Sequence, residues 1–251
     1  MKKFNIIVLT LATLIGISSY THAEVAFLQP YDFVGFTFWL VSIGCLAATA
    51  FFFLESGLVA PEWRASIIVA GLITGIAFIH SMYMRNMWVT TGDSPTIYRH
   101  IDWLITMPLL IIEFYLVLSA VKKISSSIFW KLLIGALIMV SGSYAGQAGY
   151  IHSFLGFVIW MTGWIFILYE LSSGNTGKLV ARSSNNDLVT SFEIMRMIVT
   201  IGWTIYPLGY VFGYLTGGLD SNTLNVIYNF GDFINKIGFG IVIWVVARQH
   251  K

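Results

Sequence analysis

The chain has 251 residues, of which 57% are hydrophobic, 16% aromatic and only 10% charged, with a net charge of +2. Soluble domains carry about 25% charged residues, so a globule of this size could not solvate its own surface, and so small a positive charge gives no phosphate-tracking face for nucleic acid. A single cysteine, Cys45, excludes a disulfide framework and a metal centre built on thiolates. A polytopic membrane protein remains.

The first 23 residues, MKKFNIIVLTLATLIGISSYTHA, join a basic start at Lys2 and Lys3 to a short apolar stretch and a small-residue end at Thr21-His22-Ala23. That layout predicts a signal peptide (1–23) cleaved after Ala23, leaving residues 24–251 as one seven-helix transmembrane domain. Apolar runs of about 20 residues then predict seven spans at 33–54, 65–84, 98–121, 128–147, 152–171, 192–215 and 223–247, an all-α membrane bundle. The stretch SSGNTGKLVARSSNND between spans five and six reads as a flexible polar loop. Basic residues are asymmetric: Arg64, Lys122, Lys123, Lys131, Lys178, Arg182, Arg248 and Lys251 flank one side, and only Arg85 the other. This bias puts the C-terminus in the cytoplasm and the N-terminus outside, as an odd number of spans requires.

Ionisable groups inside a bilayer are costly and mark functional sites. Lys236 lies near the centre of the seventh span, too deep to snorkel, with Asp232 one turn earlier on the same face. Two readings are open: a structural ion pair, or a desolvated amine that condenses with a carbonyl to give a Schiff base, with aspartates as counter-ions. The third span carries Asp102 and Glu113, 11 residues apart. They share a face and stand about 16 Å apart along the axis, with Lys236 between them in depth. Carboxylate, amine and carboxylate in a row suit proton transfer across the membrane; the plain alternative is that Glu113 only hydrogen-bonds a neighbouring helix. Thr106 lies one turn below Asp102 and can hydrogen-bond it, and Arg99 offers it a positive partner. His80, in the second span at the depth of Asp102, either shares a titration with that carboxylate or is an ordinary core histidine. Trp103, Trp203 and Tyr206 would give flat walls to an elongated ligand on Lys236, and Pro108 and Pro207 predict kinks.

Three long stretches, TGDSPTIYRHIDWLITMPLLIIEFYLVL (91–118), GWTIYPLGY (202–210) and NFGDFINKIGFGIVIW (229–244), supported by FFFLESG (51–57) and GLITGIAFIH (71–80), resemble the microbial rhodopsins, and among them the proteorhodopsins. The resemblance covers all seven spans. It implies a light-driven outward proton pump in the bacterial inner membrane, a transporter and not an enzyme, with all-trans retinal bound to Lys236 as a protonated Schiff base and no metal. It implies Asp102 as proton acceptor and counter-ion, Asp232 as second counter-ion, Glu113 as cytoplasmic donor, Arg99 in the outer network and His80 as partner of Asp102. Asp102, Thr106 and Glu113 match the family's pattern for outward proton pumps. Trp103, Trp203, Tyr206 and Pro207 match its retinal box, Leu110 its colour switch, in the green-absorbing form, and Trp39 its inter-protomer tryptophan in a pentamer or hexamer. The other reading is a sensory rhodopsin signalling through a membrane transducer; Glu113 argues against it. Departures from the usual pattern are His100, Ser81, Gln147, Gly231 and Gly238, the last two predicting a looser seventh span. Bulky Trp160 gives no sign of a window for an accessory carotenoid.

Overall fold

A computed structural model describes residues 27–121 and 123–249; the expected signal peptide lies outside the described residues. All described regular structure is helical: α1 (Phe33–Ser56), α2 (Arg64–Thr91), α3 (Thr96–Val121), α4 (Ser126–Gln147), α5 (Ser153–Ser172), α6 (Asn175–Ala181), α7 (Asn186–Thr200), α8 (Ile205–Tyr210) and α9 (Ser221–Gln249). Seven stretches of 22–31 residues are long and apolar enough to cross a bilayer, which agrees with the seven expected spans. The second runs seven residues past its predicted end, because polar residues from Arg85 onward continue the helix until Gly92, whose φ of +73° closes it. At this same end of the first hairpin, Asp32 caps α1 by accepting the Gly35 N–H at 2.8 Å and also accepts the Trp88 indole N–H at 3.0 Å, tying the start of α1 to the end of α2.

Two expectations need correction. The segment between spans five and six holds a helix, α6, where a flexible loop was predicted. Glu170, buried near the end of α5, accepts the Thr176 N–H and hydroxyl at 3.3 Å each and pairs with Lys131 at 3.4 Å, while Val180 is buried in the core. One anchored carboxylate and one apolar contact thus order a polar sequence. The sixth span is interrupted more deeply than by one kink. Pro207 has no N–H and its ring excludes the carbonyl four residues back. The chain therefore leaves α7 at Thr200 and passes through a 3-10 turn (Gly202–Thr204), α8 and a π-turn (Val211–Leu215). Asn235 of α9 donates to the Gly202 carbonyl at 3.1 Å, supplying the partner that the break removes. Pro108, by contrast, sits inside an unbroken α3.

The third span is the most enclosed: 61% of its apolar window is buried, against 33–50% for the others, so it forms the spine on which the site is built. Lipid-facing surfaces stay apolar, with Leu46, Leu72, Ile105 and Ile134 among the exposed residues. The fourth and fifth spans approach along a seam of small residues, as membrane helices do. A Cβ added at Gly156 would stand 2.6 Å from the Gly146 Cα and 2.9 Å from the Gly142 carbonyl oxygen, and one at Gly163 would stand 2.6 Å from the Gly135 carbonyl oxygen. These neighbours are backbone and cannot step aside. Gly156→Ala is therefore expected to destabilise the fold by about 1–3 kcal/mol, whereas Gly238→Ala, where an added Cβ meets nothing within 4 Å, stabilises by about 0.5–1 kcal/mol. Thermal unfolding of the two variants in detergent, followed by helical circular dichroism, checks both signs.

Candidate functional site

Lys236 emerges from the middle of α9 with its side chain buried, and its Nζ forms an ion pair with Asp102 Oδ2 of α3. Asp232, one turn earlier on α9, places Oδ2 3.6 Å from the same nitrogen. The lysine is thus bracketed by two carboxylates from two helices, one reached along its own helix and the other across the interface. A carboxylate pair around one ammonium leaves a surplus negative charge, and Arg99 answers it: its Nη1 lies 3.8 Å from Asp232 Oδ2. Two cations and two anions close the account in a region where an unpaired charge is very costly.

The partners differ from expectation in two places. Arg99 serves Asp232, not Asp102. Its Nη2 donates to Asn225 and Asn229 at 3.0 Å each, and its guanidinium lies over the rings of Tyr228 and Phe38 at 5.3 and 5.6 Å, which aims it at α9. Thr106 donates to the main-chain carbonyl of Asp102 at 2.9 Å, so its hydroxyl proton goes to the backbone and not to the carboxylate. His80 does meet Asp102, with Nδ1 3.6 Å from Oδ1. The same nitrogen is 3.1 Å from the Ile76 carbonyl, so it is Nδ1–H that donates there, and 3.6 Å is a polar contact beyond hydrogen-bond range.

The two aspartates are unequally furnished. Asp232 Oδ1 accepts from the Tyr206 hydroxyl at 2.8 Å and the Trp103 indole at 3.2 Å, in addition to the Arg99 contact on Oδ2. Asp102 Oδ1 is buried without a hydrogen-bond partner. Gly231 makes the Tyr206 bond reachable, since a Cβ there would already stand 3.1 Å from Ile205 and 3.5 Å from the Tyr206 ring. The glycine expected to loosen the seventh span instead admits a close neighbour. Glu113 is fully buried on α3 and both of its oxygens lack a hydrogen-bond partner, so the reading of it as a simple interhelix hydrogen bond does not hold.

Beside this cluster runs a narrow slot lined by Trp103 and Met107 of α3, Met139, Val140 and Ser143 of α4, and Trp160 and Trp164 of α5. Trp203, Tyr206 and Pro207 of the sixth span close it. Trp103 and Tyr206 touch both the slot and Asp232, so the slot ends at the lysine. Flat indole and phenol walls fit a planar conjugated chain, and a buried primary amine with carboxylate neighbours fits the covalent attachment of its carbonyl end. Of the expected box, Trp103, Trp203, Tyr206 and Pro207 all line the slot; Leu110 is buried in the core one turn beyond Met107. Trp39 stands apart, 38% exposed on the outer face of α1 beneath the Arg85 guanidinium, 5.2 Å from its ring.

Sequence reasoning missed Asn225, Asn229 and Asn235. A signal was present: Asn225, Asn229, Asp232 and Lys236 follow spacings of four, three and four, a polar stripe along an otherwise apolar helix.

Seven apolar helices around a carboxylate-bracketed lysine, with an aromatic slot opening on it, define a rhodopsin-type membrane protein. Residues 32–250 match the bacteriorhodopsin-like proteins, and the chain belongs to that family. It is 48% identical over 222 residues, 88% of each chain, to a blue-light absorbing proteorhodopsin of Gamma-proteobacterium Hot 75m4. It is 46% identical over 225 residues, 89% of this chain and 90% of the other, to a green-light absorbing proteorhodopsin of Gamma-proteobacterium EBAC31A08. The crystal structure of the blue light-absorbing proteorhodopsin from Med12 superposes with a TM-score of 0.76 at 43% identity, covering 88% of this chain and all of that one. Retinal is the chromophore of these proteins.

The Asp232 network makes a direct prediction. Tyr206→Phe deletes one hydrogen bond to a buried carboxylate and is expected to cost about 1.5–3 kcal/mol, while Asp232→Ala, which leaves Arg99 and Lys236 short of an anion, costs about 3–5 kcal/mol. Unfolding free energies of the two variants in mixed detergent micelles test the order.

Proposed function

We propose that the chain is a light-driven outward proton pump of the bacterial inner membrane, with its N-terminus outside and its C-terminus in the cytoplasm. The observation that carries this reading is the buried Lys236 amine between Asp102 and Asp232, at the end of an aromatic slot, with a second buried carboxyl, Glu113, further along the face of α3 that carries Asp102. Held at Lys236 Nζ, all-trans retinal would supply absorption of the photon and a change of shape that re-aims the proton on that nitrogen. Asp102 takes that proton. It is already paired with Nζ and keeps one oxygen free of hydrogen bonds, whereas Asp232 is engaged by Tyr206, Trp103 and Arg99 and stays as the fixed counter-charge. His80 Nδ1–H, 3.6 Å from the free oxygen of Asp102, presents a positive dipole end that favours the carboxylate form.

Glu113 resupplies the lysine nitrogen from the cytoplasmic side. An unpaired carboxylate in its fully buried position would bear the whole desolvation cost, so the group stores its proton until the nitrogen needs one. The eleven-residue spacing of Asp102 and Glu113 on α3 places acceptor and donor about 16 Å apart, and this separation, with the nitrogen between, gives transport its direction. Trp103, Trp203, Tyr206 and Pro207 hold the chromophore, Leu110 sets its colour toward green, and Trp39 lies near the contact between copies in a pentamer or hexamer.

Cells expressing the chain with added retinal are expected to acidify a weakly buffered medium in light, and a protonophore is expected to abolish the change. Lys236→Ala should give no visible absorption band and Asp102→Asn a coloured protein that moves no protons. Glu113→Gln should keep colour and slow turnover about 100-fold, read by flash photolysis. A coloured wild-type protein without any pH change would favour a sensor, and an alkalinisation enhanced by protonophore would point to another transported ion.

A further inference from the structure

His100 belongs to none of the roles above, yet it is buried beside the slot. Its Nδ1 is 2.8 Å from the Thr96 carbonyl and its Nε2 3.3 Å from the Ser143 hydroxyl, which in turn is 2.9 Å from the Gln147 amide nitrogen. A carbonyl only accepts, so Nδ1 carries a proton; in the neutral ring Nε2 is then an acceptor. Ser143 therefore donates to His100 and accepts from Gln147, and a directed chain runs Gln147 to Ser143 to His100 to Thr96. His100 packs edge-on against Trp103, with ring centroids 5.2 Å apart, and against Tyr144 at 5.3 Å. These contacts leave the imidazole no other orientation that keeps both hydrogen bonds.

Ser143 is itself part of the slot wall. It stands on α4, which packs against α5 and α3 and not substantially against α9, the helix of Lys236, so we place it toward the end of the slot remote from the lysine. With its proton committed to His100, the hydroxyl oxygen is held as the negative end of a fixed dipole in a low-dielectric wall, where its field is weakly screened.

We propose that His100, acting through Ser143, is a wavelength-determining residue: it fixes the dipole at the remote end of the chromophore slot. The proposal rests on the reading of Lys236 as the retinal-bearing residue. A conjugated chain with positive charge at its lysine end moves part of that charge toward the far end on absorbing light. A negative dipole end there stabilises the excited state and shifts absorption to longer wavelength. His100 is a positioning residue in this scheme, and Ser143 makes the contact.

The test is the absorption maximum of the purified full chain reconstituted with all-trans retinal. Ser143→Ala and His100→Phe are each expected to move the maximum several nanometres to the blue, and the double variant no further than the larger single shift, because both changes remove the same dipole. Unchanged maxima in Ser143→Ala and His100→Phe overturn the proposal, as do single shifts that add in the double variant. Ser143→Ala loses only a hydroxyl, so it serves alone if His100→Phe yields no folded protein. Absence of a visible band in the wild-type chain would be a failure of the Lys236 reading, a result distinct from a visible band that the variants leave in place.

Discussion

One ammonium group in the middle of a bilayer sets the terms for the rest of the molecule. Lys236 is buried among helices whose outer faces are apolar. It must be matched there by an anion, and Asp102 and Asp232 supply two. The second anion calls for Arg99, Arg99 calls for the Asn225 and Asn229 amides that aim it, and Asp232 takes its remaining donors from Tyr206 and Trp103. Three helical segments, α3, α8 and α9, are joined in this way by the requirement to neutralise one charge, and each partner brings a constraint on how its helix is rotated.

The usefulness of the cluster lies in its asymmetry. A symmetric pair of aspartates around the lysine would give a proton two equivalent destinations and no preferred outcome. Here one carboxylate is filled with donors and the other has an oxygen with none, a difference in satisfied lone pairs that separates a fixed charge from a group free to accept. Glu113 extends the same principle: buried, unpartnered and on the continuous α3, it is costly as an anion and comfortable as an acid. The mechanism is thus written in hydrogen-bond occupancy more than in the identities of the residues, all three of which are plain carboxylic acids.

Two packing devices make room for the slot. The glycine seam lets α4 and α5 approach to backbone contact, which sets the remote wall with Ser143, Met139 and Trp160. The broken sixth span lays Trp203, Tyr206 and Pro207 across the opposite side. Its interruption would leave backbone carbonyls without partners in an apolar medium, a cost that membrane proteins meet with side chains; Asn235, the neighbour of Lys236 in sequence, meets it at Gly202. The lysine helix and the broken span are therefore held in register beside the reacting nitrogen.

Relations within a single helix were legible in the sequence, because an α-helix turns 3.6 residues and rises 1.5 Å per residue whatever surrounds it. That geometry was enough to count seven spans, to pair Asp232 with Lys236 and to set Asp102 and Glu113 on one face, and family motifs named four of the slot residues, Trp103, Trp203, Tyr206 and Pro207. Relations between helices were not legible. The turn of Arg99 toward α9, the His100–Ser143 contact and the ordering of α6 by Glu170 each depend on how one element is set against another. That placement is settled by the packing of whole faces, in which no single residue's spacing has the deciding vote. Local periodicity determined which groups are buried in the membrane, and only the tertiary structure decided which of them touch.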